Sequence, residues 1–403
     1  MQSNIKIFKL INLVGLNSTF ISDLIIYHLS KLFRGKIDEK LIILGSSNGK
    51  YFSGNTKYLY KYLKENTDYK LIWMSKNRKL NRKLEEEGIN TIYAYSIKAI
   101  KLLRKAKAVF VTHGYNDVLP IKYSPGTLHI QTWHGGDIKV IGIDPYSAKF
   151  IYSKWSRIFR LKIRDHEYVD YIVALSGAQK PLKILADAFR YPLKKIIPTG
   201  YPRNDLFFSK ETNLREKFRK KYNVPDTVDR IILYAPTFRR NYTAKFPLSN
   251  EDLITLNRLM GDTNSTFLLK AHISERIIAF KEYGNIRIMD VESDTQELLY
   301  ITDILITDYS SIYHDFLLLD RPMILFPYDY NEYIKEWGIY YNSLEEIAPG
   351  PVVYTATELI ETIKKIKEID KDYKVKRIEL RDYFNAHLDG NSAKRLLKFL
   401  KLI

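Results

Sequence analysis

The sequence predicts an α/β protein with two doubly wound, Rossmann-like parallel sheets. Short apolar runs alternate with amphipathic segments along most of the chain, which is typical of β-α-β units whose strands are parallel. Many of the runs end in polar or glycine-rich residues, as strands do where a ligand site forms at their carboxyl ends. A chain of 403 residues is also long for one core, because a domain commonly takes roughly 100–200 residues.

Composition narrows the classes of protein. Hydrophobic residues make up 45% of the chain and no low-complexity tract interrupts it, which indicates a globular protein. Lys and Arg outnumber Asp and Glu by 64 to 46, a formal charge of +18. Because this excess is spread along the chain, it favours an anionic membrane surface or phosphate-bearing substrates and indicates no nucleic-acid partner. The lack of cysteine excludes disulfides and thiolate metal sites.

Residues 1–37 are predicted to form an amphipathic helical segment. The uncharged stretch between Lys9 and Asp23 is shorter than the roughly 20 apolar residues that a membrane span needs. Apolar residues such as Leu29 stand close to basic ones such as Lys31, so the segment either lies on an anionic membrane surface or packs on its own protein. The first alternative predicts a peripheral protein at the cytoplasmic face of the cell membrane.

Residues 38–225 are predicted to form the first Rossmann-like domain and residues 226–375 the second, with a C-terminal helix over 376–403 that packs back. The boundary falls in a highly charged stretch that contains Pro225 and Asp226. Strands of the first domain are predicted at 41–44, 70–74, 91–95, 108–112, from 128 onwards, 171–176 and 196–197. Strands of the second are predicted at 230–235, 266–270, 286–289, 304–306 and 323–326.

One histidine of the first domain, His134, follows a predicted strand and stands beside Gly135 and Gly136. Paired glycines let a backbone approach a ligand closely, and an imidazole can act as a general base near neutral pH. A single histidine in such a place is either structural or catalytic. The turn at 200–205 is likewise either a rigid loop or part of a cleft.

The stretch 304–328 reads as strand, polar turn, helix and strand, which is one β-α-β unit. Its turn contains Ser310 and Ser311, which either cap the helix or help to bind an anion at its amino end. A second loop of this half, at 236–239, follows a strand and suits a phosphate group. His272 is a second histidine at a predicted strand end.

Two parallel domains with polar residues at their strand ends match the GT-B architecture, in which both domains face a common cleft. The chain also resembles the CDP-glycerol glycerophosphotransferase family, which includes the primases and polymerases of teichoic-acid synthesis. The matching motifs cover most of residues 40–370 in the order of the family. They are QTWHG at 131–135, GYPRND at 200–205, ILYAPTFR at 232–239, KAH at 270–272, ITDYSSIYHDF at 306–316, RPMILFPYD at 321–329 and PGPVV at 349–353.

This resemblance implies transfer of a polyol phosphate, with glycerol phosphate first among the polyols, from a CDP-activated donor to a hydroxyl of a membrane-anchored, lipid-linked saccharide or polymer. CMP is released, and the product is a teichoic-acid-like or capsule polymer. The implied catalytic residues are His134, as the base for the acceptor proton, and His272. The residues implied in binding the CDP donor, in the second domain, are Pro236, Thr237, Arg239, Thr307, Asp308, Ser310, Ser311 and Asp315. Those implied at the acceptor or cleft are Gly135, Asp137, Arg203, Asn204 and Asp205.

The chain departs from the family pattern at Gly136 and Asp137, where Thr-Pro is usual, and this puts the acceptor region in doubt. No cofactor is firmly implied, because the sequence has no clear carboxylate cluster, although Asp308 and Asp315 leave a divalent metal open.

Two other functions stay open. One is a GT-B glycosyltransferase that moves a sugar or sugar phosphate from a nucleotide donor in surface-glycan assembly. The other is a non-catalytic basic protein that binds a surface and needs neither His134 nor His272. The sequence leaves the polyol, the acceptor, the number of units added and the oligomeric state open.

Overall fold

A computed structural model of the protein describes residues 18–33, 35–141, 169–237, 239, 246–270 and 283–403. The predicted catalytic residue His272 lies outside these residues. Residues 1–17 of the predicted N-terminal segment 1–37 also lie outside them.

The first sheet has seven strands in the order β3-β2-β1-β4-β5-β6-β7. The strand pairs whose register is defined are parallel. Strand β1 lies between β2 and β4, so the order of the strands reverses there, and such a switch point is where open α/β sheets bind ligands. The strands are β1 Asp38–Leu44, β2 Lys70–Ser75, β3 Thr91–Tyr93, β4 Ala106–Val111, β5 Leu128–Gln131, β6 Tyr171–Val173 and β7 Ile196–Ile197.

The second sheet has five parallel strands in the order β10-β9-β8-β11-β12, and its order reverses between β8 and β11. Both β9 and β11 are buried along their whole length, as expected of strands with helices on both faces of the sheet. The prediction of two doubly wound parallel sheets is therefore confirmed. The strands are β8 Arg230–Tyr234, β9 Ser265–Leu269, β10 Ile286–Ile288, β11 Ile304–Thr307 and β12 Met323–Leu325.

Helices alternate with these strands, and several begin at a capping residue. Asn77 and Asp294 accept hydrogen bonds from free backbone N–H groups, while Ser249 and Thr355 begin capping boxes. The α-helices of the described residues are α1 Ser18–Ser30, α2 Gly54–Asn66, α3 Arg78–Glu86, α4 Ile97–Leu103, α5 Gln179–Phe189, α6 Leu214–Lys221, α7 Asn250–Asp262, α8 Thr295–Ile301, α9 Ile312–Phe316, α10 Tyr330–Glu336, α11 Ala356–Phe384 and α12 Ser392–Phe399.

The chain forms two compact units whose bounds differ from the predicted domains. The first unit comprises Met1–His134, Tyr152–Val173 and Leu397–Ile403, and the second comprises Gly135–Ile151 and Ala174–Leu396. The segment 174–225, which the sequence analysis assigns to the first domain, therefore belongs to the second unit. The physical reason is packing, because Leu214 and Phe218 are buried in one core with strands β8 and β11. The order of elements along a chain does not reveal which core a helix joins.

The C-terminal region also differs from its prediction. Helix α11 is one continuous helix of 29 residues that runs through residue 376, where the sequence analysis begins a separate C-terminal helix over 376–403. Its second half continues without a break because Arg377, only 3% exposed at the side chain, is held by Asp320 and Asp370. The shorter helix α12 follows after a turn.

Helix α1 combines a buried contact with exposed apolar side chains. Ile26 is buried in the core of the first unit together with Leu41 and Leu103. Leu29 and Leu32, in contrast, are 41% and 76% exposed. No helix in the described part of the chain is long and apolar enough to cross a membrane.

Candidate functional site

In the first unit, the turn that follows strand β5 is held by buried hydrogen bonds. Thr132 continues the sheet, since its N–H donates to the carbonyl of Val111 over 2.7 Å. Trp133 then adopts a left-handed backbone with φ of +55°, which is uncommon for a bulky residue. The Asn55 side-chain amide, in helix α2, donates to the carbonyls of Thr132 and Trp133 over 2.9 Å each. These contacts fix the direction in which the next residue leaves the sheet.

That next residue is His134, and one contact of its ring indicates which nitrogen carries the proton. Nδ1 of His134 lies 2.9 Å from the carbonyl oxygen of Thr112. A carbonyl can only accept a hydrogen bond, so Nδ1 carries the proton and Nε2 of the neutral ring keeps its lone pair. The same arrangement orients a histidine that acts as a general base through Nε2.

The ring of His113 stacks on that of His134, with centroids 3.8 Å apart and planes 11° from parallel. Burial lowers the pKa of His113, although Asp117 opposes the shift. Asp117 itself has no exposed surface and accepts hydrogen bonds from Thr112, His113 and Asn48. The carboxylate thus ties the ends of β1 and β4 together beneath the two imidazoles.

In the second unit, Asp308 joins the ends of strands β8 and β11. Its carboxylate accepts from the N–H and hydroxyl of Thr237, at 2.8 and 2.5 Å, and from the Tyr309 N–H at 2.6 Å. Thr307 adds a hydrogen bond from its hydroxyl to the carbonyl of Ala235 over 2.7 Å. Thr237, Thr307 and Asp308 are all buried, so they shape the loops at the switch point of the second sheet. Pro236 precedes them and is half-buried.

The guanidinium of Arg239 is engaged within the protein. It donates to Asp308 over 2.8 Å and to both oxygens of Asp329 over 2.5 and 2.9 Å. Burial opposes the charge, yet the two carboxylates together raise the pKa of Arg239 above its ordinary value. The ring of Tyr333 lies over the same group. Arg239 is therefore held as a positioning element, which limits the contacts it can make with a phosphate.

The hydroxyls of Ser310 and Ser311 are half-buried at the start of helix α9. Ser311 occupies the capping position, but its side chain makes no capping hydrogen bond, and its backbone is already helical. Ser310 accepts only a long contact of 3.4 Å from the N–H of Ile312. The structure therefore does not show the ordinary N-cap that was one of the two alternatives for these serines.

Asp315 and the turn at 200–205 come together in one buried cluster. Arg203 pairs with Asp315 over 2.8 Å, and the side-chain amides of Asn204 and Gln296 each donate to the same carboxylate over 2.9 Å. Asp315 is 2% exposed. Asp205 has another role, since it accepts from the backbone N–H groups at the start of α12.

Gly135 and Asp137 are anchored by two tyrosines. The Tyr201 hydroxyl donates to the carbonyl of Gly135 over 2.7 Å, and the Tyr341 hydroxyl donates to Asp137 over 2.5 Å. Burial raises the pKa of Asp137, although the contact with Tyr341 opposes this.

Several residues of these clusters were not among the predicted site residues. Lys139 is one of them, and burial lowers its pKa while Asp308 opposes the shift. Burial also lowers the pKa of Lys270 to about 8. His113 stands two residues after the end of β4 and Lys270 directly follows β9, so an inspection of every strand end would have found both. Within the described ranges, no group of three or more His, Asp or Glu side chains lies close enough to hold a metal ion.

Comparison with known proteins supplies the class of this chain. Residues 26–402 match the family model described as CDP-Glycerol:Poly(glycerophosphate) glycerophosphotransferase. The teichoic acid glycerol-phosphate transferase of Staphylococcus aureus is 31% identical over 380 residues, which cover 92% of this chain and 95% of that protein. A teichoic acid poly(glycerol phosphate) polymerase of Bacillus spizizenii is 32% identical, over 90% of this chain and 92% of that one. The poly(ribitol-phosphate) polymerase of the same organism is 29% identical, over 90% of this chain and 56% of that protein.

Solved structures agree on the fold. The wall teichoic acid polymerase TagF superposes with a TM-score of 0.79 at 23% identity, over 95% of both chains. A UDP-GlcNAc 2-epimerase from Neisseria meningitidis superposes with a TM-score of 0.52 at 12% identity, over 90% of this chain and all of that one. These likenesses show a GT-B-like fold. The family match settles the class: the chain belongs to the CDP-Glycerol:Poly(glycerophosphate) glycerophosphotransferase family and is a CDP-glycerol glycerophosphotransferase-like enzyme.

Proposed function

We propose that the chain transfers glycerol phosphate from CDP-glycerol to a hydroxyl of a lipid-linked saccharide or growing polymer, and so contributes to a teichoic-acid-like or capsule polymer. Family membership supports the reaction class. The choice of glycerol is the finer part of the proposal, because the relatives of similar identity include enzymes named for glycerol phosphate and for ribitol phosphate.

One observation supports the role of His134 most directly, namely the contact between its Nδ1 and the carbonyl of Thr112. The contact leaves Nε2 as the ring atom that can accept a proton. In the proposed step, the acceptor oxygen forms a bond to the phosphorus that bears the polyol, and its proton moves to Nε2. The bond from that phosphorus to the bridging oxygen breaks, and CMP leaves with the electron pair.

The other residues bind and neutralise the donor in this proposal. Phosphoryl transfer depends mainly on positioning and on stabilising charge at the phosphoryl oxygens. Ser310 and Ser311 present half-buried hydroxyls, and Lys139 is a nearby cation whose charge Asp308 supports. Arg239 and Asp308 hold the loops of this region in place. His272 is proposed to help hold the donor diphosphate.

The test is acceptor-dependent release of CMP from CDP-glycerol, with a lipid-linked saccharide as acceptor. The wild type should release CMP only when the acceptor is present. His134→Ala should lose at least about a hundredfold in kcat, the scale of a lost general base. His387→Ala is the matched control, since that histidine is half-buried, contacts the carbonyl of Pro198 and has no part in the proposed reaction.

Other outcomes discriminate between the alternatives. Release of CMP from CDP-ribitol and not from CDP-glycerol would retain the proposed enzyme class, but the transferred polyol would be ribitol. Turnover of a nucleotide sugar without turnover of either CDP-polyol would instead support the GT-B glycosyltransferase. Full activity of His134→Ala would remove this residue from the proposed base role.

We also propose that helix α1 and the turn after it rest on an anionic membrane surface, at the cytoplasmic face, where a lipid-linked acceptor would be reached. The exposed side chains of Leu29 and Leu32, with Lys31 between them, support this contact.

A further inference from the structure

A buried pair of side chains, Asp137 and His314, lies directly beside the glycines that follow the candidate base. Nε2 of His314 is 3.9 Å from Oδ1 of Asp137. The His314 residue is only 1% exposed, and Nε2 has no hydrogen-bond partner among the described residues. The other carboxylate oxygen of Asp137 is held by the Tyr341 hydroxyl. Nε2 of His314 and Oδ1 of Asp137 therefore lie close together within a buried site.

Gly136 is pressed against the same imidazole. A Cβ at this position would lie 2.2 Å from Nδ1 of His314 and 2.8 Å from Cβ of Ser311. Real Cβ atoms do not approach other atoms so closely, so the close contact requires glycine. The ring itself cannot retreat, because it stacks on Phe384 with centroids 4.1 Å apart. His314 thus fixes how closely the backbone at Gly136 approaches Ser311.

Electrostatics favours a pair without net charge. Burial lowers the pKa of His314 to about 3, with Arg203 adding to the effect. Burial also raises the pKa of Asp137. Both shifts disfavour the charged forms, as burial does for an imidazole and a carboxyl group that are withdrawn from water.

We propose that Asp137 and His314 act together as a positioning pair, which fixes the backbone at Gly135–Asp137 against Ser311 and thereby sets where the donor diphosphate is held. The inference rests on the proposed function, because it takes Ser311 to bind the CDP-polyol. It adds a residue, His314, to the set that determines donor binding, although that residue need not touch the donor itself.

The polar contact between Asp137 and His314 is tested with two variants. His314→Phe keeps an aromatic ring against Phe384 and removes Nε2, while Asp137→Leu removes both carboxylate contacts. Each should raise the KM for CDP-glycerol by about tenfold, since misplacement by a fraction of an ångström weakens a positioned site, and should change kcat less. Asp137→Asn should recover most of the loss, because its amide can donate to Nε2 and its oxygen can accept from Tyr341.

The steric contact between Gly136 and His314 is tested with a double-mutant cycle. Gly136→Ala in the wild type should lower kcat/KM by at least about tenfold, because the new Cβ meets the imidazole. In a His314→Val background the same substitution should cost less than about threefold, since the smaller side chain leaves room. Melting temperatures of all four proteins identify any variant that fails to fold, and His314→Leu then replaces His314→Val.

The outcomes separate this inference from the proposed function. A wild type that releases CMP from no CDP-polyol rejects the proposed function. If the wild type turns over CDP-glycerol and His314→Phe has an unchanged KM for it, the positioning pair is rejected and the proposed function is retained. Equal costs of Gly136→Ala in both backgrounds also reject it. A fall in kcat at constant KM would show that the variants only reduce the folded fraction, which is a structural role and overturns the positioning one.

Discussion

Asp308 has no exposed surface, and its carboxylate is matched by four donors from three residues. A buried carboxylate is costly to desolvate, so such groups persist only where their partners are complete. The partners here belong to two strand-end loops, at Thr237 and Tyr309, and to Arg239. One side chain therefore controls the shape of the whole strand-end region in the second unit.

Asp308→Ala should consequently destabilise the protein by about 3–5 kcal/mol, because it leaves the buried Arg239 guanidinium without one of its two carboxylate partners. Urea unfolding of the wild type and the variant measures this change. The control is Glu361→Gln, which breaks an exposed pair with Lys364 and should leave the unfolding midpoint unchanged. Equal stability of Asp308→Ala and the wild type would mean that the loops do not depend on this carboxylate.

His314 makes the stability of the folded chain sensitive to acid. Its pKa is about 3 in the folded state, against about 6.5 in the unfolded chain. Between these values the unfolded chain binds a proton that the folded chain does not, so the free energy of unfolding falls as pH falls. His314→Phe removes this titration. Between about pH 6.5 and 4.5 the free energy of unfolding should therefore fall less steeply for the variant than for the wild type. The difference between the two slopes should be about 1.4 kcal/mol per pH unit.

Urea unfolding at several pH values in that window compares the two slopes, with His387→Phe, at a half-buried histidine, as control. The titratable groups near His314 are Asp137, Arg203 and Tyr313, with Tyr341 bound to Asp137, and all of them are present in both proteins. Equal slopes for the wild type and His314→Phe would show that His314 has the same pKa in the folded and the unfolded chain. That result would contradict the lowered pKa of the buried imidazole.

At the scale of elements, the first residues of helix α2 support the turn after β5. Asn55 is fully buried and donates to two carbonyls of that turn, one of them at the strained residue Trp133. Asn55→Leu removes both donors at similar volume. We expect kcat to fall by about tenfold with a nearly unchanged KM for CDP-glycerol, because His134 loses its fixed orientation.

Asn66→Leu is the matched control for that variant. Asn66 lies at the other end of the same helix, is exposed, and donates only to the carbonyl of Tyr62 one turn earlier. Steady-state kinetics of both variants therefore separates the support of the turn from any general effect on helix α2. A comparable loss of kcat in the two proteins would contradict a specific role of Asn55.

The elements also show where sequence reasoning reaches its limit. The strands could be predicted because parallel strands are buried on both faces and read as continuous apolar runs, as in β9 and β11. The strand ends then indicated His134 and the turn with Ser310 and Ser311, whereas Asp308 was implied by the family resemblance. The contact between Gly136 and His314 could not be predicted, since the two residues are far apart in the chain and neither has a local pattern that reveals it. The assignment of 174–225 to the second unit has the same cause.

For the whole molecule, the formal charge of +18 is the property that favours binding to an anionic surface. Such a charge attracts anionic surfaces over distances of about 10 Å at 0.1 M salt. Attraction alone does not fix an orientation, so a defined membrane contact also needs apolar side chains that enter the interface. Leu29 and Leu32 are the exposed apolar residues nearest the amino end of the described chain.

We therefore expect the protein to sediment with vesicles that contain phosphatidylglycerol and not with pure phosphatidylcholine vesicles, and the binding to weaken as salt is raised. The double variant Leu29→Ser and Leu32→Ser should bind at least about tenfold more weakly, because full burial of a leucine contributes about 1.5–3 kcal/mol. Val375→Ser is the control, since Val375 is 69% exposed but lies on helix α11. If the double variant and the control bind as the wild type does, charge alone accounts for the attraction, and helix α1 has no part in it.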